Sequence, residues 1–460
     1  MCQYSRDTTL PTRVIRVGGR DGPIAMVQLQ KNKQVIRGSY LALSYCWGRQ
    51  IPGKRDRLSE LRKDNENALM NEIKVEDLEK TVRDAVYVTH ELGYKYLWVD
   101  RFCIVQDCHE DQRRELPRIP TNYKNAAVTL AIGTASHASE GFLDTPSSRP
   151  VTYLPEHKFD VPVEDNETAT VYLSIEPYKT DHALDKRAWT FQEYMMSSRI
   201  LVFSDYQLLW QCKEVELQCV TGNDAGIEYL QTMESLPWAA FDYDCEPLFG
   251  TEESERIYLW RTILLQYTKR ALTNPEDRLR AMEGVLLELQ KVWQDCHIYG
   301  HWKEWFIQLL AWYKPASERV EERCLDRAPS WSWVSVNGSI HFEDQMTFED
   351  ARAEIITETQ VRISCRILRL RDIRKSKRGT MLERPDLASP VAVAELGNGE
   401  CQYLLLGKST RNDYSDHGLG LMILRTRGGR YRRIGLVVFS DMSIWSEVGR
   451  RNVELEPKIT

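Results

Sequence analysis

The chain has 460 residues, of which 42% are hydrophobic and 28% charged, and a formal net charge of −6. That length exceeds one ordinary core, so two or three domains are expected, and the composition is that of folded rather than disordered protein. Lysine and arginine are spread along the chain, and no run approaches the roughly 18 apolar residues of a membrane span, so neither nucleic acid nor membrane is expected as a partner. The opening residues, MCQYSRDTTLPTR, lack the apolar stretch of a signal peptide, which makes the cytoplasm the expected location. Eleven cysteines with no CxxC pair argue against a disulfide framework and a zinc ribbon. Cys103, Cys108 and His109, and His297 and His301 at helical i, i+4 spacing, have no second pair at ligand spacing, so no metal is expected.

In chain order, residues 12–30 read as an edge hairpin turning at Gly18, Gly19 and Gly22. Residues 40–47, YLALSYCW, form an apolar run closed by Gly48, as in a strand buried on both faces. Ser44, Tyr45 and Trp47 at its end would point into the crevice at the carboxyl edge of an open sheet. After a charged, irregular stretch, Leu78, Val82, Ala85, Val86 and Leu92 mark one face of a helix that Gly93 stops. Residues 96–99 make a short strand ending in Asp100, which is either a site residue or a turn former. Together these read as a βαβ unit with a parallel sheet. Residues 111–125 predict a helix broken by Pro117 and Pro120, and 127–132 the next strand. Residues 136–182, with five prolines and a strand candidate at 171–175, look like an insertion over the crevice.

Residues 186–203, KRAWTFQEYMMSSRILVF, are the stretch around which the rest is arranged. If they are helical, Trp189 and Glu193 lie four apart on one face, following Arg187, and a strand at 200–203 pairs with 208–211. An acid beside an aromatic plane can hold a flat, cationic, ribose-bearing ligand. The same spacing also describes a core tryptophan with a solvated glutamate. From about residue 228 the periodicity becomes helical, with faces at Ile257–Trp260–Ile263–Leu264–Tyr267, Leu279–Met282–Val285–Leu286–Leu289 and Trp302–Trp305–Phe306–Leu309–Leu310. APSWSWVSV at 328–336 begins a β-rich end, with alternation at Val361, Ile363, Cys365 and Ile367 and a hairpin around Gly428 and Gly429. The chain thus divides into an N-terminal parallel-sheet α/β domain (1–227), a helical domain (228–330) and a β-rich domain (331–460). No Gly-rich phosphate loop is present, which disfavours a permanently held dinucleotide, and no cofactor is expected.

YLALSYCWG at Tyr40, YLWVDRFCIVQD at Tyr96, YKNAAVTLAI at Tyr123 and RAWTFQE at Arg187 resemble, in order and spacing, the fungal heterokaryon incompatibility (HET) domain. The resemblance is close over residues 10–215 and looser to about 340. HET domains are similar to Toll/interleukin-1 receptor (TIR) domains, which have a flavodoxin-like fold and many of which hydrolyse NAD. The TIR helix carries a WCxxE pattern, onto which Trp189, Thr190 and Glu193 fall with Thr in the Cys position. The resemblance therefore implies Glu193 as catalytic residue, Trp189 as its supporting aromatic, and Ser44, Tyr45, Trp47, Asp100 and Arg187 as substrate-binding residues. The chain departs from the HET pattern at Arg101, at Pro117 and Pro120, and at Ile119 where methionine is usual.

Two functions follow from the resemblance. One is a cell-death effector with NAD as substrate, cleaved to nicotinamide and ADP-ribose. The other is a non-catalytic module that self-associates and recruits partners in non-self recognition. A third reading takes Ser44 or Cys103 as the nucleophile of an unrelated hydrolase.

Overall fold

A computed structural model describes residues 8–18, 24–32, 35–48, 58–143, 157–162, 168–173, 182–204, 208–212, 215–220, 252–319, 323–343, 345–369, 373, 381–388, 401–410, 416–426 and 428–458. It divides into two compact units, Met1–Pro237 and Trp238–Thr460.

The first unit is built on a nine-stranded mixed sheet. Its strands are β1 (Arg13–Arg16), β2 (Met26–Lys31), β3 (Leu41–Ser44), β4 (Ile73–Lys74), β5 (Tyr96–Trp98), β6 (Val128–Ile132), β7 (Arg199–Phe203), β8 (Leu208–Cys212) and β9 (Val215–Cys219). They lie in the order β9-β8-β7-β6-β3-β5-β1-β2-β4. The central four, β5, β3, β6 and β7, are parallel to one another, and antiparallel strands extend the sheet on both sides. Every residue of β3 and β6 is buried, as unbroken apolar runs require when helices cover both faces. The parallel core is thus the expected one, but the 12–30 hairpin is not an edge. Its strand β1 lies between β2 and β5, with Val14 and Ile15 fully buried, and the edge is β4, in the stretch expected to be irregular. Gly19 and Gly22, and most of 136–182, lie outside the described residues. Within that stretch His157–Pro162 pairs antiparallel with Thr168–Leu173.

Helices follow their sequence signals closely. After α1 (Glu66–Asn71), α2 (Lys80–Glu91) buries Val82, Ala85 and Val86. It ends at Gly93, whose φ is +77°. There the Gly93 N–H donates to His90 O and the Tyr94 N–H to Thr89 O, closing the last turn as a Schellman motif. The 100–125 region breaks into α3 (Asp100–Cys103), α4 (His109–Glu115), a 3₁₀ turn (Leu116–Arg118) and α5 (Ile119–Asn125). Pro117 and Pro120 each open a segment, where a missing N–H costs no helical bond. Then α6 (Ala188–Met196) leads into β7, buried at every position but Trp189 and Tyr194.

In the second unit, α7 (Glu252–Thr268) bears out the first helical face, and α8 (Glu283–Trp293) carries Val285, Leu286 and Leu289 of the second, whose Met282 lies in a 3₁₀ turn with Leu279 just before it. The third face does not form one helix. Trp302 belongs to a two-residue strand, His301–Trp302, paired with His297–Ile298, and only Phe306–Leu309 is helical, as α9. His297 and His301 are therefore on opposite strands of a tight turn, not on one helix face. Tyr299 and Gly300, both at positive φ, make that turn. Trp260, Trp293, Trp302 and Trp305 stack edge to face, with centroids 5.0–6.4 Å apart.

The strands β10 (Arg352–Ile355), β11 (Val361–Arg369), β12 (Met381–Pro385), β13 (Gln402–Thr410), β14 (Asp416–Arg425), β15 (Tyr431–Phe439) and β16 (Arg450–Glu454) belong to an antiparallel eight-stranded sheet. Both its faces are buried: Val361, Ile363, Leu404, Leu421 and Leu436 pack with Phe306 and Trp331, and Tyr403, Val437 and Phe439 with Trp445. APSWSWVSV does not begin this sheet. It is a core segment with a 3₁₀ turn, Trp333–Ser335, and both its tryptophans are fully buried. Arg433, also fully buried, stacks 3.5 Å from the Trp312 ring, donates to Leu310 O and Trp312 O, and pairs with Asp386, which Arg323 also binds.

Candidate active site

Three chain segments meet where the parallel strands end. β3 delivers Ser44 and then Tyr45, Cys46 and Trp47. β5 delivers Asp100, and α6 brings Arg187 at its N-terminal boundary and Glu193 one turn and a half later. The Ser44 hydroxyl donates to Glu193 Oε2 at 2.5 Å, joining residues 149 apart in sequence. Arg187 Nη1 donates to Tyr45 O at 2.8 Å. The Trp47 indole N–H is 3.1 and 3.2 Å from the two oxygens of Asp100, which also accepts from the Arg101 N–H at 2.7 Å.

The orientation within α6 differs from both readings of its spacing. Glu193 is buried, with 9% of its surface exposed, while Trp189 is half-buried, so the carboxyl rather than the ring faces inward. Among the described residues no hydrogen bond or ring contact joins Trp189 to the cluster; the structure brings together Ser44, Tyr45, Trp47, Asp100, Arg187 and Glu193.

Burial sets the charge state. Desolvation, then the nearby charge of Asp100, lifts the Glu193 carboxyl to about 7 against the opposing hydrogen bond from Ser44 and the charge of Arg187. Desolvation likewise lifts Asp100 to about 6, although the Arg101 N–H, Arg187 and the Trp47 N–H all favour its charged form. Burial pulls Arg187 down, but Glu193, Cys46 and Asp100 outweigh it and hold the guanidinium charged. Two carboxyls pushed toward neutrality beside one fixed cation are what an acid–base or charge-stabilising site requires. Among the described residues the buried Tyr45 hydroxyl has no hydrogen-bond partner, and burial raises it well above the ordinary tyrosine value.

Two further residues, Tyr123 and Arg101, belong to the cluster although the sequence did not assign them to the site. Tyr123, on α5, donates to Leu43 O at 3.0 Å, and its hydroxyl is among the groups that favour the charged form of Glu193. Its signal was a buried aromatic with a polar tip in the run YKNAAVTLAI. Arg101, the departure from the expected pattern, lies with its guanidinium 5.4 Å from the Trp47 ring centre and donates to Glu79 at 2.5 Å. It braces the indole rather than leaving an unpaired charge in the core. A cavity of about 20 Å³ borders Ser44, Thr129, His182, Asp185 and Thr190, room for one water molecule. Of the alternative nucleophiles, Cys103 is buried, which raises its thiol to about 12 and leaves it protonated, whereas Ser44 donates to the Glu193 carboxyl.

Among the described residues no group of three or more His, Cys, Asp or Glu is arranged to hold a metal, and no helix is long and apolar enough to cross a membrane. Comparison with curated proteins and with solved structures found no match. Residues 40–193 match the family model described as Heterokaryon incompatibility protein (HET). Over that span, which begins beside Ser44 and ends on Glu193, the chain is similar to the heterokaryon incompatibility family.

Proposed function

We propose that this chain acts in heterokaryon incompatibility, a fungal non-self response, as a cell-death effector that hydrolyses NAD to nicotinamide and ADP-ribose at Glu193. The observation that carries the reading is the convergence of the Glu193 and Asp100 carboxyls with Arg187 at the carboxyl ends of parallel strands. A TIR-like, flavodoxin-like kinship is supported by strand order. Numbered along the chain, the four parallel strands run 2-1-3-4 across the sheet, and Ser44 ends strand 1, at the point where the order reverses.

Nicotinamide leaves as a neutral molecule from a cationic ribosyl linkage, so its departure needs no general acid. The glycosidic C–N bond breaks with its electron pair going to the pyridine nitrogen, and positive charge develops on the ribose. Ionised Glu193 stabilises that charge and accepts the ribose hydroxyls in place of the Ser44 hydroxyl. Trp47, fixed by Asp100 and Arg101, supplies an aromatic wall. Water then forms the new C–O bond and gives its proton to Glu193, which returns it to solvent. Because Glu193 must be ionised, turnover should rise with pH through about 7.

The test is nicotinamide release from NAD by purified protein at high concentration with a crowding agent, wild type against Glu193→Ala. Release by the wild type alone supports the hydrolase and its key residue, whereas equal release by both removes Glu193 from the mechanism. No release from folded, assembled wild type would transfer the role to the non-catalytic, self-associating module.

A further inference from the structure

A cleft of about 390 Å³ opens on the second unit at the turn between β14 and β15, lined by Arg425, Gly429, Arg430, Tyr431, Asn452 and Glu454. That volume falls in the range of small-ligand sites. The turn is held by the Thr426 N–H donating to Arg430 O at 2.8 Å and the Gly429 N–H to Thr426 O at 3.0 Å. Gly429 has a φ of +78° and open space where a Cβ would stand, so the backbone beside the cleft is accessible.

The ladder orders the chemistry across the cleft. Arg425 is opposite Tyr431 in the β14–β15 register, and Tyr431 bridges in turn to Leu455, the residue after Glu454. Cationic and hydrogen-bonding groups therefore fall on either side of one aromatic position. Glu454 is already compensated, 3.4 Å from Arg362 and 3.7 Å from Arg430. Arg425 is exposed and makes no ion pair among the described residues. The balance is positive, on a chain whose net charge is −6.

We propose that this cleft binds a mononucleotide, its phosphate on Arg425 and Arg430 and its ribose or base on Tyr431, Asn452 and Glu454. Guanidinium groups match phosphate in charge and geometry. A bare anion would use only the arginines and would meet the Glu454 carboxylate, whereas ribose hydroxyls and base amino groups donate to that carboxylate and to the Asn452 amide oxygen. The site is separate from Glu193 and does not depend on NAD cleavage.

Calorimetric titration of the full chain carrying Glu193→Ala, with AMP as probe and adenosine and inorganic phosphate as comparisons, tests the assignment. Expected are saturable AMP binding, binding of adenosine and of phosphate each weaker by about tenfold or more, and a loss of roughly tenfold in AMP affinity for Arg425→Ala and again for Arg430→Ala. Both arginines are on the surface, so thermal unfolding of the variants should match the parent. Absence of AMP binding at millimolar concentration, or AMP affinity unchanged in the double variant, overturns the proposal. Phosphate binding as tight as AMP makes the cleft a simple anion site and overturns the nucleotide.

Discussion

Glu193 is costly to keep where it is, and the cost has a pH signature. Its carboxyl rises from 4.5 to about 7 on folding, so between those values the folded chain holds a proton that the unfolded chain has released. Its contribution to stability is fully present below about pH 4.5 and is lost as the pH climbs through 7. Glu193→Gln keeps the shape and cannot ionise. It should match wild type near pH 4 and exceed it at pH 8 by up to about 3 kcal/mol, read from urea unfolding at both values. Parallel curves at the two pH values would mean that the carboxyl is not desolvated. Asp100 acts on the same titration, because its charge is the second cause lifting Glu193. Asp100→Asn removes the charge but keeps an acceptor for the Trp47 N–H, so the Glu193 titration should shift to lower pH and, with the raised Asp100 carboxyl also gone, less stability should be lost between pH 4 and 8 than in the wild type. Asp100→Ala should show the same shift plus about 1 kcal/mol for the lost hydrogen bond.

At the scale of elements, the sequence was legible wherever one apolar period governed a segment. The unbroken runs of β3 and β6, the stripe of α2 with its glycine stop, and the prolines dividing 109–125 each point to one local structure, and each formed. It was illegible where large apolar residues are buried from all sides. In the 297–313 stretch tryptophans three apart imitate a helix, but Trp302 is fixed by the hairpin turn at Tyr299 and Gly300, and the other rings pack around it. The signal that could have decided was Gly300, whose φ of +76° suits a two-residue turn. A Cβ there would stand 2.6–2.8 Å from the Trp333 ring. Gly300→Ala should therefore cost about 2–4 kcal/mol, measurable as a lowered unfolding midpoint, with an unchanged midpoint placing the turn elsewhere. The site residues were partly readable for a related reason. Strand ends locate Ser44 and Asp100, but which face of α6 turns inward depends on packing around all of Ala188, Phe191, Met195 and Met196.

For the molecule as a whole, the second unit holds a cation pair on one buried anion. Arg433 and Arg323 both bind Asp386, and the three are almost wholly buried. Asp386→Asn leaves two guanidinium groups with no carboxylate in the core, at a cost of about 3–5 kcal/mol that calorimetric melting would show. A change below 1 kcal/mol would mean that the carbonyls of Leu310 and Trp312 suffice for Arg433. In the first unit the long separation of Ser44 from Glu193 has a different consequence. Their hydrogen bond joins α6 to β3 beside the parallel, non-local pairings of β3 with β6 and of β6 with β7, contacts of the slow-forming kind. A nascent chain released up to residue 180 has β3, β5, β6 and the Trp47–Asp100 partners, yet not Glu193. The cluster is thus incomplete through most of the synthesis of the chain that surrounds it, because the residue that joins β3 to α6 is among the last of that stretch to be made.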